Sequence, residues 1–146
     1  NEVKIQSSSG DIKAGDFNKL SAEASSGYIE IGTISEDAKV KTASGKITLN
    51  GANKLKAEAI SGDIKINSIE NNCEISSTSG NIIVDTANIN ENSFIKTNSG
   101  NVVINNKNDI YVETKTTSGD ADVQNNNRMS EIVLDITTTS GNIKVN

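Results

Sequence analysis

Three aspartates follow a Ser-Gly pair directly: Asp11 in "SSSGDIK", Asp63 in "ISGDIK" and Asp120 in "TSGDAD". Carboxylates so placed invite comparison with the acid–base pairs that cleave polysaccharides. The same corners hold eight serines, Ser9, Ser26, Ser44, Ser61, Ser79, Ser99, Ser118 and Ser140, and one thiol, Cys73, stands elsewhere. The chain has no histidine. A Ser-His-Asp or Cys-His nucleophile is therefore excluded, and so are zinc sites of the Cys/His type. Corner Asp and Asn oxygens could attract calcium. However, neither the glycine-rich nonapeptide with its fixed Asp nor EF-hand spacing is present, so these oxygens read as a polar ladder. The expectation is no enzyme, no metal and no cofactor.

Whether the aspartates meet depends on the elements that carry them. The corner glycines are Gly10, Gly27, Gly45, Gly62, Gly80, Gly100, Gly119 and Gly141, so the repeat runs 17–22 residues. Such a period marks stacked supersecondary units. Two residues after each glycine stand Ile12, Ile29, Ile47, Ile64, Ile82, Val102, Ala121 and Ile143. Four after stand Ala14, Ile31, Leu49, Ile66, Val84, Ile104, Val123 and Val145, and most residues between these two positions are polar. This is a period-two strand with one buried face. A second strand precedes each glycine, with Ile5, Ala22, Val40, Ala57, Ile75, Ile95, Thr114 and Ile136 five residues upstream. Phe17, Ile34, Ile69 and Ala87 mark a third short side.

Every copy has the same pattern in the same order, so each makes one circuit rather than a hairpin. The expected fold is all-β: a single-stranded parallel β-helix, or β-solenoid, of about eight rungs forming one domain over residues 1–146. Ser-Gly is its corner, because glycine reaches positive φ and serine bonds local backbone. Consecutive stacking at ~4.8 Å per rung would hold Asp11, Asp63 and Asp120 three rungs apart, roughly 14 Å. Glycosidase pairs work at about 5 to 9.5 Å, so the acids read as solvated corners. Cys73 shares its column with Val3, Leu20, Leu55 and Leu134 and reads as a buried filler.

Composition agrees with a lean core, at 34% hydrophobic and 3% aromatic residues without tryptophan or proline. A net charge of −5 spread along the chain offers no basic stripe for nucleic acid or an anionic membrane surface. No run of about 18 apolar residues is present to insert in a bilayer. The opening "NEVKIQ" lies almost inside a strand pattern, so a targeting segment or anchor is expected outside these residues.

Outward positions carry the functional reading. Glu23, Lys41 and Glu58, each four before a glycine, should stack as complementary charges. Ile83 and Val103 are the two apolar residues in the outward column after the glycines, and Phe94 is expected outward between them. An exposed apolar patch there would mark a protein-partner surface unless "ANINENS" covers it.

The recurring Ser-Gly-[Asp/Asn/Lys/Tyr]-Ile-x-[Ile/Leu/Val], with an apolar residue five upstream, covers essentially the full chain. It resembles bacterial adhesin-type domains of unknown function. These are short-rung β-helices related to head-domain auto-transporter adhesins and to the toastrack domains of envelope-stress proteins. The resemblance implies a right-handed helix at the cell envelope or outside the cell, and carries no functional residues. It points to a non-enzymatic adhesin-like or envelope-sensing module with a protein partner at the envelope or a host surface. The competing reading is a cytoplasmic scaffold, like the short-rung bactofilins, self-associating end to end through uncapped strand edges.

Overall fold

A computed structural model describes residues 2–124 and 126–146. Thirteen strands form one parallel sheet that winds on itself. They are β1 (Glu2–Ser9), β2 (Ile12–Ala14), β3 (Lys19–Ser26), β4 (Ile29–Ser44), β5 (Ile47–Ser61), β6 (Ile64–Ser79), β7 (Ile82–Ala87), β8 (Ser93–Ser99), β9 (Val102–Asn106), β10 (Tyr111–Ser118), β11 (Ala121–Val123), β12 (Val133–Ser140) and β13 (Ile143–Val145). The fold is a β-solenoid of about eight turns. One side of each turn precedes the corner glycine and a second follows it. The third side is shorter and carries the register shifts between Ile34 and Asp37 and between Ala52 and Lys54.

Register follows the apolar columns. Ile29 lies beside Ile47, Ile47 beside Ile64, and Ile64 beside Ile82. These side chains are fully enclosed. The columns loosen only at the ends of the stack: Ala14, Ala121 and Val123 are not buried, and neither are Ile5 and Thr114 in the column before the glycines. A terminal rung has a neighbour on one side only.

The order of the last two turns departs from consecutive stacking. Strand β12 pairs with β8 on one side and β10 on the other, and β13 sits in the same way between β9 and β11. The eighth turn of the sequence is thus the seventh layer in space, inserted between the sixth turn and the seventh. The corners confirm the order. Gly100 N–H donates to Ser140 O at 3.0 Å, and Gly141 N–H donates to Ser118 O at 3.0 Å. The 22-residue spacing before Gly141 reflects a segment that must step back one layer.

Candidate functional site

Each corner is built by a glycine at φ between +123° and +149°. At Gly62, an added Cβ would overlap the Gly45 carbonyl oxygen, with its carbonyl carbon at 2.7 Å. At five of the corners the Asp or Asn after the glycine then spends its side chain on the next layer. Asp63 Oδ1 accepts from Asn81 N–H at 2.8 Å, Asn81 Oδ1 from Asn101 N–H at 2.9 Å, Asn101 Oδ1 from Asn142 N–H at 2.8 Å, and Asn142 Oδ1 from Asp120 N–H at 2.9 Å. Asp11 does the same for Tyr28 N–H at 2.9 Å. Asp63 and Asp120 are the two ends of this run, four layers apart rather than the expected three, or roughly 19 Å. The inserted turn accounts for the difference and widens a gap already too large for a glycosidase pair. Among the described residues, no group of three or more Cys, Asp or Glu is placed to hold a metal ion.

The outward column after the glycines runs Lys13, Glu30, Thr48, Lys65, Ile83, Val103, Lys144 and Asp122 in spatial order. Ile83 and Val103 are ladder partners, Ile83 exposed and Val103 half-buried. Lysines flank them on both sides. The "ANINENS" segment does not cover Ile83, because Ala87 and Ile89 turn into the core instead. Phe94 is also exposed, but it lies on the side before the glycine, between Glu74 and Asp135, and no pairing joins it to Ile83 or Val103. Glu23, Lys41 and Glu58 do lie in register, though no ion pair within 4.0 Å links them.

Cys73 sits beside Leu55 in the core. Burial, reinforced by Glu74 and opposed by a hydrogen bond with Ser93, pushes its thiol up to about 12. That thiol is no nucleophile at neutral pH.

Asparagines line the third side. Asn53, Asn71, Asn90 and Asn108 form an amide ladder with successive bonds of 2.6, 3.1 and 3.0 Å. Beside it, a depression of about 400 Å³ is lined by Thr33, Ser35, Asn50, Asn53, Asn67 and Glu70. One further residue was invisible in the repeat pattern. Asn126 Oδ1 accepts from Val112 N–H at 2.8 Å, and its Nδ2 donates to Val112 O at 2.9 Å. Its side-chain amide thus imitates a ladder partner along the outer edge of β10. Arg128 lies over the Tyr111 ring at 5.9 Å, so the same loop makes a second contact with that strand. The asparagine run inside the widened spacing was the available signal.

A family model described as Toastrack DUF4097 matches residues 1–146. No curated protein and no solved structure matches the chain.

Proposed function

This chain belongs to the Toastrack family, and on that premise we propose that it is a non-catalytic interaction module of the bacterial cell envelope, adhesin-like or stress-sensing, acting by presenting its outer faces to a protein. The observation that carries this reading is the Ile83–Val103 step, an apolar pair on a sheet face flanked by Lys65 and Lys144. Apolar surface rimmed by charge is the usual composition of a protein contact. Two of the corner acids, Asp11 and Asp63, support the non-catalytic part, since each is committed to a backbone donor of the next layer. A glycan is the poorer ligand, because the aromatic stacking faces are few and scattered.

A photo-cross-linker placed at position 83, and separately at Thr48 on the same column, tests the reading in cells that express the protein. A discrete adduct is expected at 83, absent at 48, and abolished by Val103→Lys. Equal labelling at both positions, or an adduct that survives Val103→Lys, would remove the step as the contact. The end-to-end scaffold would join layers through strand edges such as that of β1, which among the described residues pairs with β3 alone. It is weakened where Asn126 occupies the β10 edge at Val112.

A further inference from the structure

The outward column six residues before the glycines has a bipolar charge order. Its first half reads Lys4, Ser21, Lys39 and Lys56, and its second half reads Glu74, Phe94, Asp135 and Glu113. Lysines gather at one end of the face and acids at the other. Lys39 and Lys56 are direct ladder neighbours, and so are Asp135 and Glu113. Like charges side by side in a ladder are unfavourable. Among the described residues, no ion pair within 4.0 Å relieves any of the six charges. A shallow depression of about 490 Å³ lies over the lysine half, lined by Lys39, Lys54, Lys56 and Glu74 among others.

We propose that this face binds a second copy of the chain, face to face, with the two stacks running in opposite directions about a twofold axis parallel to the strands. The column is self-complementary under that operation. Lys4 meets Glu113 of the second copy, Ser21 meets Asp135, Lys39 meets Phe94, and Lys56 meets Glu74, each contact occurring twice. Both copies share one layer spacing of ~4.8 Å, so the register holds along the whole column. Phe94, 42% exposed in the single chain, gains an ammonium over its ring. Strands of seven or eight residues in eight layers give a footprint on the order of 800 Å² per copy, the size of a standard specific interface. The next column brings one like-charged meeting, Lys41 with Lys96, and there Glu23 and Glu58 flank Lys41 in its own ladder.

Sedimentation equilibrium of the purified chain tests this at about 20 mM and about 500 mM salt, conditions that differ several-fold in screening length. A dimer is expected at low salt, with its dissociation constant raised at least tenfold at high salt. Lys39→Glu/Lys56→Glu and Glu74→Lys/Asp135→Lys should each be monomeric with unchanged circular dichroism, and mixing the two variants should restore a dimer. A protein that stays monomeric up to about 1 mM at low salt overturns the proposal. So does a dimer that neither double variant disturbs, or one whose X-ray scattering is that of an elongated end-to-end pair. A monomer that retains polyglutamate through Lys39 and Lys56 also overturns it, and makes the lysine half a polyanion site instead.

Discussion

At the scale of single residues, the corner glycine faces two constraints that the end of the stack separates. Gly10 and Gly62 share the same backbone requirement, φ of +128° and +135°. They differ in what lies beneath. A Cβ at Gly10 would come no nearer than 3.8 Å to Ser7 Oγ, whereas at Gly62 it would strike the Gly45 carbonyl. Gly10→Ala should therefore cost about 1–3 kcal/mol from backbone strain alone. Gly62→Ala should exceed it by about 2 kcal/mol or more through the steric overlap. Urea unfolding of both variants measures the difference, and equal costs would mean that contact between layers does not select glycine. Cys73 offers a test by pH. Its folded pKa, about 12, lies above the 9.0 of an unburied thiol, so the unfolded chain loses the proton first. The thiol's contribution is complete below about pH 9 and is lost as pH rises toward 12. Stability should fall across that window in the parent and less so in Cys73→Ala. At pH 8 the native thiol should resist Ellman's reagent and react only on unfolding.

At the scale of strands, the end of the stack has to manage backbone that no further layer pairs. Strand β10 does this with composition and with a borrowed amide. Its inward column carries Thr114 where interior layers carry Ile75 or Ile136, which leaves less apolar surface at the exposed end. Asn126 satisfies both backbone groups of Val112. Asn126→Ala should cost about 1–2 kcal/mol and should speed amide exchange at Val112 well beyond that at Val40 in the stack interior. Unchanged protection at Val112 would show that the loop, rather than its amide, covers the edge. The strands themselves were legible in the sequence, because a period of two assigns a side chain to a face without reference to its neighbours. The inward columns and the buried thiol were legible for the same reason. Asn126 was not, since a cap is defined by the groups it meets across space and the repeat is interrupted there. Phe94 was read correctly as outward but placed on the wrong side of the corner, because alternation gives the face of a strand and not the side of the coil on which that strand lies.

At the scale of the whole molecule, the repeat leaves the order of its copies open. Every turn offers the same columns in the same register, so any turn can stack on any other with isoleucine meeting isoleucine. Sequence adjacency is then only a preference set by the length of the connections. Here the longest spacing, from Gly119 to Gly141, lets the last turn enter between the sixth and the seventh. The bipolar charge column does not depend on that insertion, which only exchanges Asp135 and Glu113 within its acidic half. Disulfide formation can check the order directly. Thr137 is in register with Lys96 on one side and with Lys115 on the other. Adjacent parallel layers, ~4.8 Å apart, are within disulfide reach, whereas layers two apart, at ~9.6 Å, are beyond the roughly 7 Å limit. Lys96→Cys/Thr137→Cys should therefore close on mild oxidation, while Lys96→Cys/Lys115→Cys should stay reduced, with the buried Cys73 unaffected in both. Consecutive stacking would reverse the two outcomes, closing Lys96 to Lys115 and leaving Thr137 out of reach of Lys96. The charge column would stay bipolar in either order, with Glu113 and Asp135 exchanging places, so this test bears on the stacking alone.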